Sequence, residues 1–206
     1  MNAQRESFDR YYEADSQYYG TVPSPHLLAC VDVLRGDARD TAMAIDVGGG
    51  EGRDGRWLAA LGFSAVCVDT SFAGLRAARA GGLLVCQGSI LALPCRSASA
   101  SVINATTVID HLVPQDAGIA VGEIRRVLIP GGIVALEVFT TSDPACVGGP
   151  VSDTASFVKH YYEPNELRDV MPDAEVIYYA EGVEPDWSHG SPHSHGVARL
   201  VARVGR

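Results

Sequence analysis

The feature that most constrains this chain is the passage Ala44-Ile45-Asp46-Val47-Gly48-Gly49-Gly50-Glu51-Gly52, a short apolar run that ends in an acid and then in closely spaced glycines. Glycine turns the backbone sharply and lets it approach a ligand where a Cβ would collide. The residues after the turn, up to Gly62, have helical character, and a helix start aims N–H groups at the same place. Asp46, at the carboxyl end of the apolar run, suits a ligand ammonium group. Asp69 closes the next run, Val66-Cys67-Val68-Asp69, and an acid there in a doubly wound sheet meets ribose hydroxyls. A close-approach loop and a ribose reader together imply a nucleoside cofactor.

The rest of the chain continues the alternation. Strand-like runs at 64–70, 83–89, 99–108, 131–140, 173–183 and 195–204 are separated mostly by helical stretches at 71–82, 114–128 and 163–171, with Ser71 as a helix cap. This pattern predicts an α/β domain with a mostly parallel sheet. The chain has 206 residues, which suits one such domain. We divide it into a helical arm at 1–36, a cofactor-binding core at 40–140, a lid at 141–160 and a closing part of the sheet at 161–206. The Pro-, His-, Ser- and Gly-rich stretch 184–195 reads as a loop.

The net charge of −9 argues against nucleic acid, whose phosphates need a basic surface. No apolar run is long enough to cross a membrane, so no membrane partner is expected. The polar N-terminal stretch is no signal peptide, and the five cysteines have no metal-like or disulfide-like spacing. Free thiols and a cytoplasmic location are the expectation, with Cys67 and Cys86 in the core. A dinucleotide remains a rival, because Gly50-x-Gly52-x-x-Gly55 with Asp69 beyond it fits the dinucleotide fingerprint formally. Against it, the charge of Asp46 would repel a pyrophosphate.

At this point the sequence resembles the class I S-adenosylmethionine-dependent methyltransferases. Asp46-x-Gly48-x-Gly50-x-Gly52 matches their first motif and Asp69 their second-strand acid. Gln87-Gly88-Ser89-Ile90-x-x-Leu93-Pro94 resembles the third motif, which reads the adenine edge. Ile124-Arg125-Arg126-Val127-Leu128-x-Pro130-Gly131-Gly132 is similar to the helix, turn and strand beyond the cofactor site. The resemblance implies a three-layer Rossmann-like methyltransferase sheet, mostly parallel with an antiparallel last strand. It also implies S-adenosylmethionine as cofactor, held by Asp46, Gly48, Gly50, Gly52, Asp69, Thr70, Ser89, Ile90 and Thr106. Ser89 stands where many members have an acid, and Cys95 where many have an aromatic. Looser features, Tyr19-Gly20-Thr21-x-Pro23 and the ending from His195 among them, resemble the tellurite-resistance and thiopurine-type branch.

The resemblance implies methyl transfer by in-line displacement to a small molecule. Acceptor-side residues then come from the loop after the fourth strand, Thr106 to Leu112, and from the caps. His111, His193 and His195 are the candidate catalytic residues, as bases or acceptor contacts; the plain alternative is that His111 packs under a helix. His193 and His195 share a face if the last strand begins near His193. No metal is expected for them or for His189, because no third ligand recurs at a fitting spacing. Tyr161 and Tyr162 either line the acceptor pocket or anchor the lid. Tyr11, Tyr12, Tyr18 and Tyr19 either cover the cofactor or staple the arm. Two other classes stay open, a nicotinamide-dependent oxidoreductase and a non-methylating S-adenosylmethionine-binding protein on the same scaffold.

Overall fold

A computed structural model of the chain describes residues 2–14, 17–38, 42–153, 158–187 and 192–205. Seven strands form its central sheet: β1 (Met43–Val47), β2 (Ser64–Asp69), β3 (Leu84–Gln87), β4 (Ala100–Thr106), β5 (Leu128–Phe139), β8 (Glu175–Asp186) and β9 (His193–Arg203). Two short strands, β6 (Val151–Asp153) and β7 (Val158–His160), pair antiparallel outside it. The helices are α1 (Asn2–Ala14), α2 (Pro25–Ala29), α3 (Val31–Asp37), α4 (Arg53–Ala60), α5 (Phe72–Ala80), α6 (Pro114–Val127) and α7 (Glu166–Asp169), with a 3-10 turn at Ile109–His111.

The sheet order is β3-β2-β1-β4-β5-β9-β8. Strands β1 to β5 pair in parallel, and β9 runs antiparallel to both neighbours, β5 and β8. The predicted sheet, mostly parallel with an antiparallel last strand, is what the chain adopts. Its central strands are covered on both faces, which is why their sequences are continuously apolar. Ala44, Val102, Ile133 and Ala135 face Leu27, Leu34 and Leu58 of the helices on one side. Ile45, Ile103, Val134 and Leu136 face Ala120, Ile124 and Val127 of α6 on the other. Neighbours in sequence thus feed opposite layers, as the two-residue period of a strand requires. Ser71 caps α5 as expected, its Oγ accepting from Gly74 N–H at 3.0 Å.

Two expectations change. Within the stretch 184–195, Glu184–Asp186 and His193–His195 are strand, because β8 and β9 stay in register out to Glu184↔His195 and Asp186↔His193, while 188–191 lie outside the described residues. Pro185 is tolerated there since β8 is an edge strand and needs no N–H on its outer side. The 141–160 segment carries the β6–β7 pair. Within the helical arm, α2 and α3 are separate helices, because Cys30 between them leaves helical geometry at φ −109° and ψ 18°. Cys86 lies half-buried on edge strand β3, whereas Cys67 is fully buried. No helix among the described residues is long and apolar enough to cross a membrane.

Candidate active site

Successive strands step outward from β1 to β3, and the chain then returns to lay β4 on the other side of β1. Such a reversal leaves a crevice outside the carboxyl ends of the two strands, the usual ligand position of an open α/β sheet. A cavity of about 1370 Å³ opens there. Its wall includes Asp46 and Val47 from β1, Asp69 from β2, Thr106 from β4, and Glu137 and Phe139 from β5. The arm covers it with Phe8, Tyr11 and Tyr12 of α1 and with Tyr18 and Tyr19 beyond, while Val158 and Lys159 of β7 enter from the lid.

The glycine turn is built for close approach. Gly48 and Gly50 have φ of +63° and +50°, conformations that L side chains rarely adopt. Gly50 N–H donates to Asp69 Oδ2 at 2.8 Å, and Ser71 N–H donates to Asp69 Oδ1 at 2.7 Å. Asp46 Oδ2 accepts from Gly55 N–H and Asp46 Oδ1 from Asn104 Nδ2, both at 2.8 Å. Burial pushes the Asp46 carboxyl up, and the neighbouring Asp54 adds to the effect. Burial also pushes Asp54 up, but the Arg53 guanidinium and the hydrogen bonds from Ser24 outweigh it and hold that carboxyl low. Ser24 Oγ donates to Asp54 Oδ2 at 2.6 Å, and Thr106 Oγ1 donates to the same oxygen at 3.1 Å. Glu51 accepts from the N–H groups of Tyr18 and Tyr19, each at 3.0 Å, which ties the arm to the loop.

Beyond β4 the polar side chains form two groups. One runs through the sheet: His26 Nε2 meets Asn104 Oδ1 at 3.2 Å, Arg199 pairs with the buried Glu137, and Arg199 Nη1 reaches Glu184 Oε2 at 2.7 Å. The other lies at the far end of the cavity. His193 Nε2 and His195 Nε2 are 2.9 Å apart, and His195 Nδ1 meets Asp143 Oδ2 at 2.8 Å. Gly196 permits that contact, because a Cβ there would collide with the Ser142–Asp143 backbone. Lys159 Nζ stands 3.9 Å from the centre of the Phe139 ring, a cation–π contact.

His111 Nδ1 lies 3.1 Å from the carbonyl oxygen of Val158; a carbonyl only accepts, so this nitrogen carries the proton. Burial lowers the His111 pKa to about 4, with Lys159 adding to the effect.

Of the residues singled out in the sequence, Asp46, Gly48, Asp69, Thr70, Ser89, Ile90, Thr106, His111 and His195 line the cavity. Gly50 and Gly52 shape the turn from behind, Gly50 against Tyr12 and Gly52 against Leu83. His193 contacts His195 and is not itself on the cavity wall, and His111 lines the cavity from the 3-10 turn after β4. Ser89 Oγ accepts from Leu91 N–H at 3.2 Å. Tyr161 and Tyr162 are buried, at 3% and 1% exposure, and neither faces the cavity. His189 lies outside the described residues. Sequence reading passed over Asn104, Glu137, Arg199 and Asp143. The first three had a signal, a polar residue inside an otherwise apolar strand.

An open α/β sheet with a glycine turn and a buried acid at adjacent strand ends is an arrangement that suits a nucleoside cofactor. Residues 45–136 match the family model of a methyltransferase domain. A search of curated proteins gives no match. Among solved structures, the chain is similar to an S-adenosylmethionine-dependent methyltransferase of Methanosarcina mazei, at 15% identity and TM-score 0.68, over 84% of this chain and 97% of that one. It is similar to the 1,6-didemethyltoxoflavin-N1-methyltransferase of Burkholderia thailandensis, solved with bound 1,6-didemethyltoxoflavin and S-adenosylhomocysteine, at 17% identity and TM-score 0.72, over 100% and 88%. It is also similar to TehB of Haemophilus influenzae, at 16% identity and TM-score 0.69, over 96% and 67%. Residues 45–136 are thus similar to a methyltransferase domain, and the fold of the chain is that of the S-adenosylmethionine-dependent methyltransferases. The resemblance read from the sequence motifs is borne out.

Proposed function

We propose that this methyltransferase takes a methyl group from S-adenosylmethionine and gives it to a small molecule held beside the cofactor in one cavity. The observation that carries the reading is the size and span of that cavity. At about 1370 Å³ it exceeds the roughly 300–1,000 Å³ of a pocket for one small ligand. It runs from Asp69 and the glycine turn on the β2–β1 side to Phe139, Lys159 and His195 on the β5–β9 side. A roof of arm and lid residues, together with the net charge of −9, favours a small acceptor over a nucleic acid. The five cysteines are unpaired, which suits a cytoplasmic setting.

The residues fit the cofactor. Asp69 accepts from the N–H groups of Gly50 and Ser71 and lines the cavity, where a remaining lone pair can take a ribose hydroxyl. Asp46 accepts from Gly55 N–H and Asn104 Nδ2, so it braces the turn. Ser89, Ile90 and Thr70 supply the wall for the base, and Thr106 fixes Asp54 and Ser24 beneath the turn. When bound, S-adenosylmethionine supplies a methyl group on a sulfonium: the acceptor's lone pair forms the new bond to carbon, and the carbon–sulfur pair stays on sulfur. The chain's share of the work is to align the acceptor and exclude water. The His193–His195 pair, backed by Asp143, forms the polar corner at the acceptor end, and His111 contributes a neutral ring to the same wall.

The test is a labelled-methyl screen over thiols, oxyanions, phenols and amines. Transfer of label to at least one class supports the reading. Binding of the cofactor with no transfer to any class would favour the non-methylating alternative.

A further inference from the structure

Cross-strand register brings together three side chains that the sequence keeps apart. Asp186 on β8 stands opposite His193 on β9, and His195 lies two residues along the same face. One ligand atom from each of Asp186, His193 and His195 lies within 4.8 Å of the others. The two imidazole Nε2 atoms are 2.9 Å apart, and His195 Nε2 is 3.8 Å from Asp186 Oδ2. Donor atoms of a tetrahedral zinc site with bonds of about 2.0–2.1 Å sit roughly 3.3–3.5 Å from one another, so small side-chain shifts would close the set on one ion.

The surroundings are those of a built metal ligand. His195 Nδ1 faces Asp143 Oδ2 at 2.8 Å, and Asp143 is itself fixed by the N–H groups of Ala145 and Gly196 at 2.8 and 3.1 Å. With Asp143 as a carboxylate, the proton of His195 sits on Nδ1 and the Nε2 lone pair points at His193. A carboxylate that orients a histidine in this way is the usual support behind a metal-bound imidazole.

We propose that Asp186, His193 and His195 bind a divalent transition-metal ion, zinc or a close relative, whose open coordination positions face the acceptor end of the cavity. Two histidines and one carboxylate make a three-ligand set, the kind that leaves room for water or substrate. Asp186 and His195 both lie on the cavity wall. The inference rests on the methyl-transfer reading only for what the ion would do. An acceptor with two adjacent oxygen, nitrogen or sulfur donors would chelate it and be fixed in orientation. An acceptor hydroxyl bound there would release its proton to water and present an anionic lone pair, the effect a metal has on bound water. Under this proposal His193 and His195 are ligands, and neither takes the proton itself.

The experiment is a zinc titration of the untagged, metal-stripped full chain against a chromophoric chelator, with cobalt as a spectroscopic probe. We expect one ion per chain and visible cobalt bands, with binding lost in His193→Ala and in Asp186→Ala. Asp143→Asn should weaken binding about 10- to 100-fold, the usual effect of removing an orienting partner. S-adenosylhomocysteine affinity should be unchanged in all three variants, which also shows that they fold. No stoichiometric zinc binding, or binding that survives both ligand variants, overturns the proposal. Zinc bound through these residues in a chain that does not bind S-adenosylhomocysteine would uphold the metal site and remove the methyl-transfer reading.

Discussion

Four buried carboxylates, Asp46, Asp54, Asp69 and Asp110, have different charge settings although all are less than 10% exposed. Asp54 is held low by Arg53 and Ser24, while burial raises Asp46, Asp69 and Asp110. Asp110 is pushed up to about 7 by burial, with Lys159 pulling the other way. A raised acid binds its proton more tightly in the folded chain than in the unfolded one. Its contribution to stability is therefore present at low pH and is lost as pH rises from the unfolded value, about 3.9, through 7. Asp110→Asn should flatten that part of the stability–pH curve, where each tenfold difference in proton affinity between folded and unfolded chain is worth about 1.4 kcal/mol. Denaturant melts of both proteins at pH 5 and pH 8 check this; equal pH slopes would contradict it. His111 moves the opposite way. With a pKa of about 4 it is neutral from pH 5 to 8 and contributes no limb to the rate profile there. His111→Ala should lower acceptor turnover through lost packing while leaving the shape of that profile unchanged. A limb near pH 6.5 that vanishes in the variant would show that the ring titrates as a base.

Among the elements, the arm is the most heavily tied to the site for its position in the chain. Asp9 of α1 accepts from Ser71 Oγ at 2.6 Å and from Ala73 N–H at 3.1 Å, at the start of α5. Gln4 donates to the carbonyl of His111 at 3.1 Å and accepts from Val158 N–H at 3.4 Å, so one side chain links arm, 3-10 turn and lid. Amides of α1 and β7 should gain hydrogen-exchange protection when S-adenosylhomocysteine binds, and Gln4→Ala should reduce the gain in β7. Equal exchange with and without ligand would separate these elements from the site. The central strands and the glycine turn were legible in the sequence because each rests on local signals: apolar runs, a helix cap and glycines at positive φ. The β8–β9 pairing was not. Pro185 and Ser194 read locally as loop residues, and cross-strand register keeps Glu184–Asp186 and His193–His195 extended. The same register sets Asp186 beside His193, so the third member of the proposed metal set was invisible to spacing along the chain. The grouping of His26, Asn104, Glu137, Arg199 and Glu184 was hidden for the same reason, since its members come from five separate segments.

At the scale of the molecule, an acidic chain folds a seven-stranded sheet whose reversal point opens one large crevice, roofed by arm and lid. Glycine spacing alone fits both a dinucleotide and S-adenosylmethionine, and the choice of the second is central to the proposed function. The most direct test is titration calorimetry of the full chain with S-adenosylhomocysteine and, separately, with NADH. We predict stoichiometric binding of S-adenosylhomocysteine, a loss of affinity in Asp69→Ala of about 10-fold or more, the worth of a hydrogen bond to a charged group, and no binding of NADH. Binding of NADH together with failure to bind S-adenosylhomocysteine would contradict it.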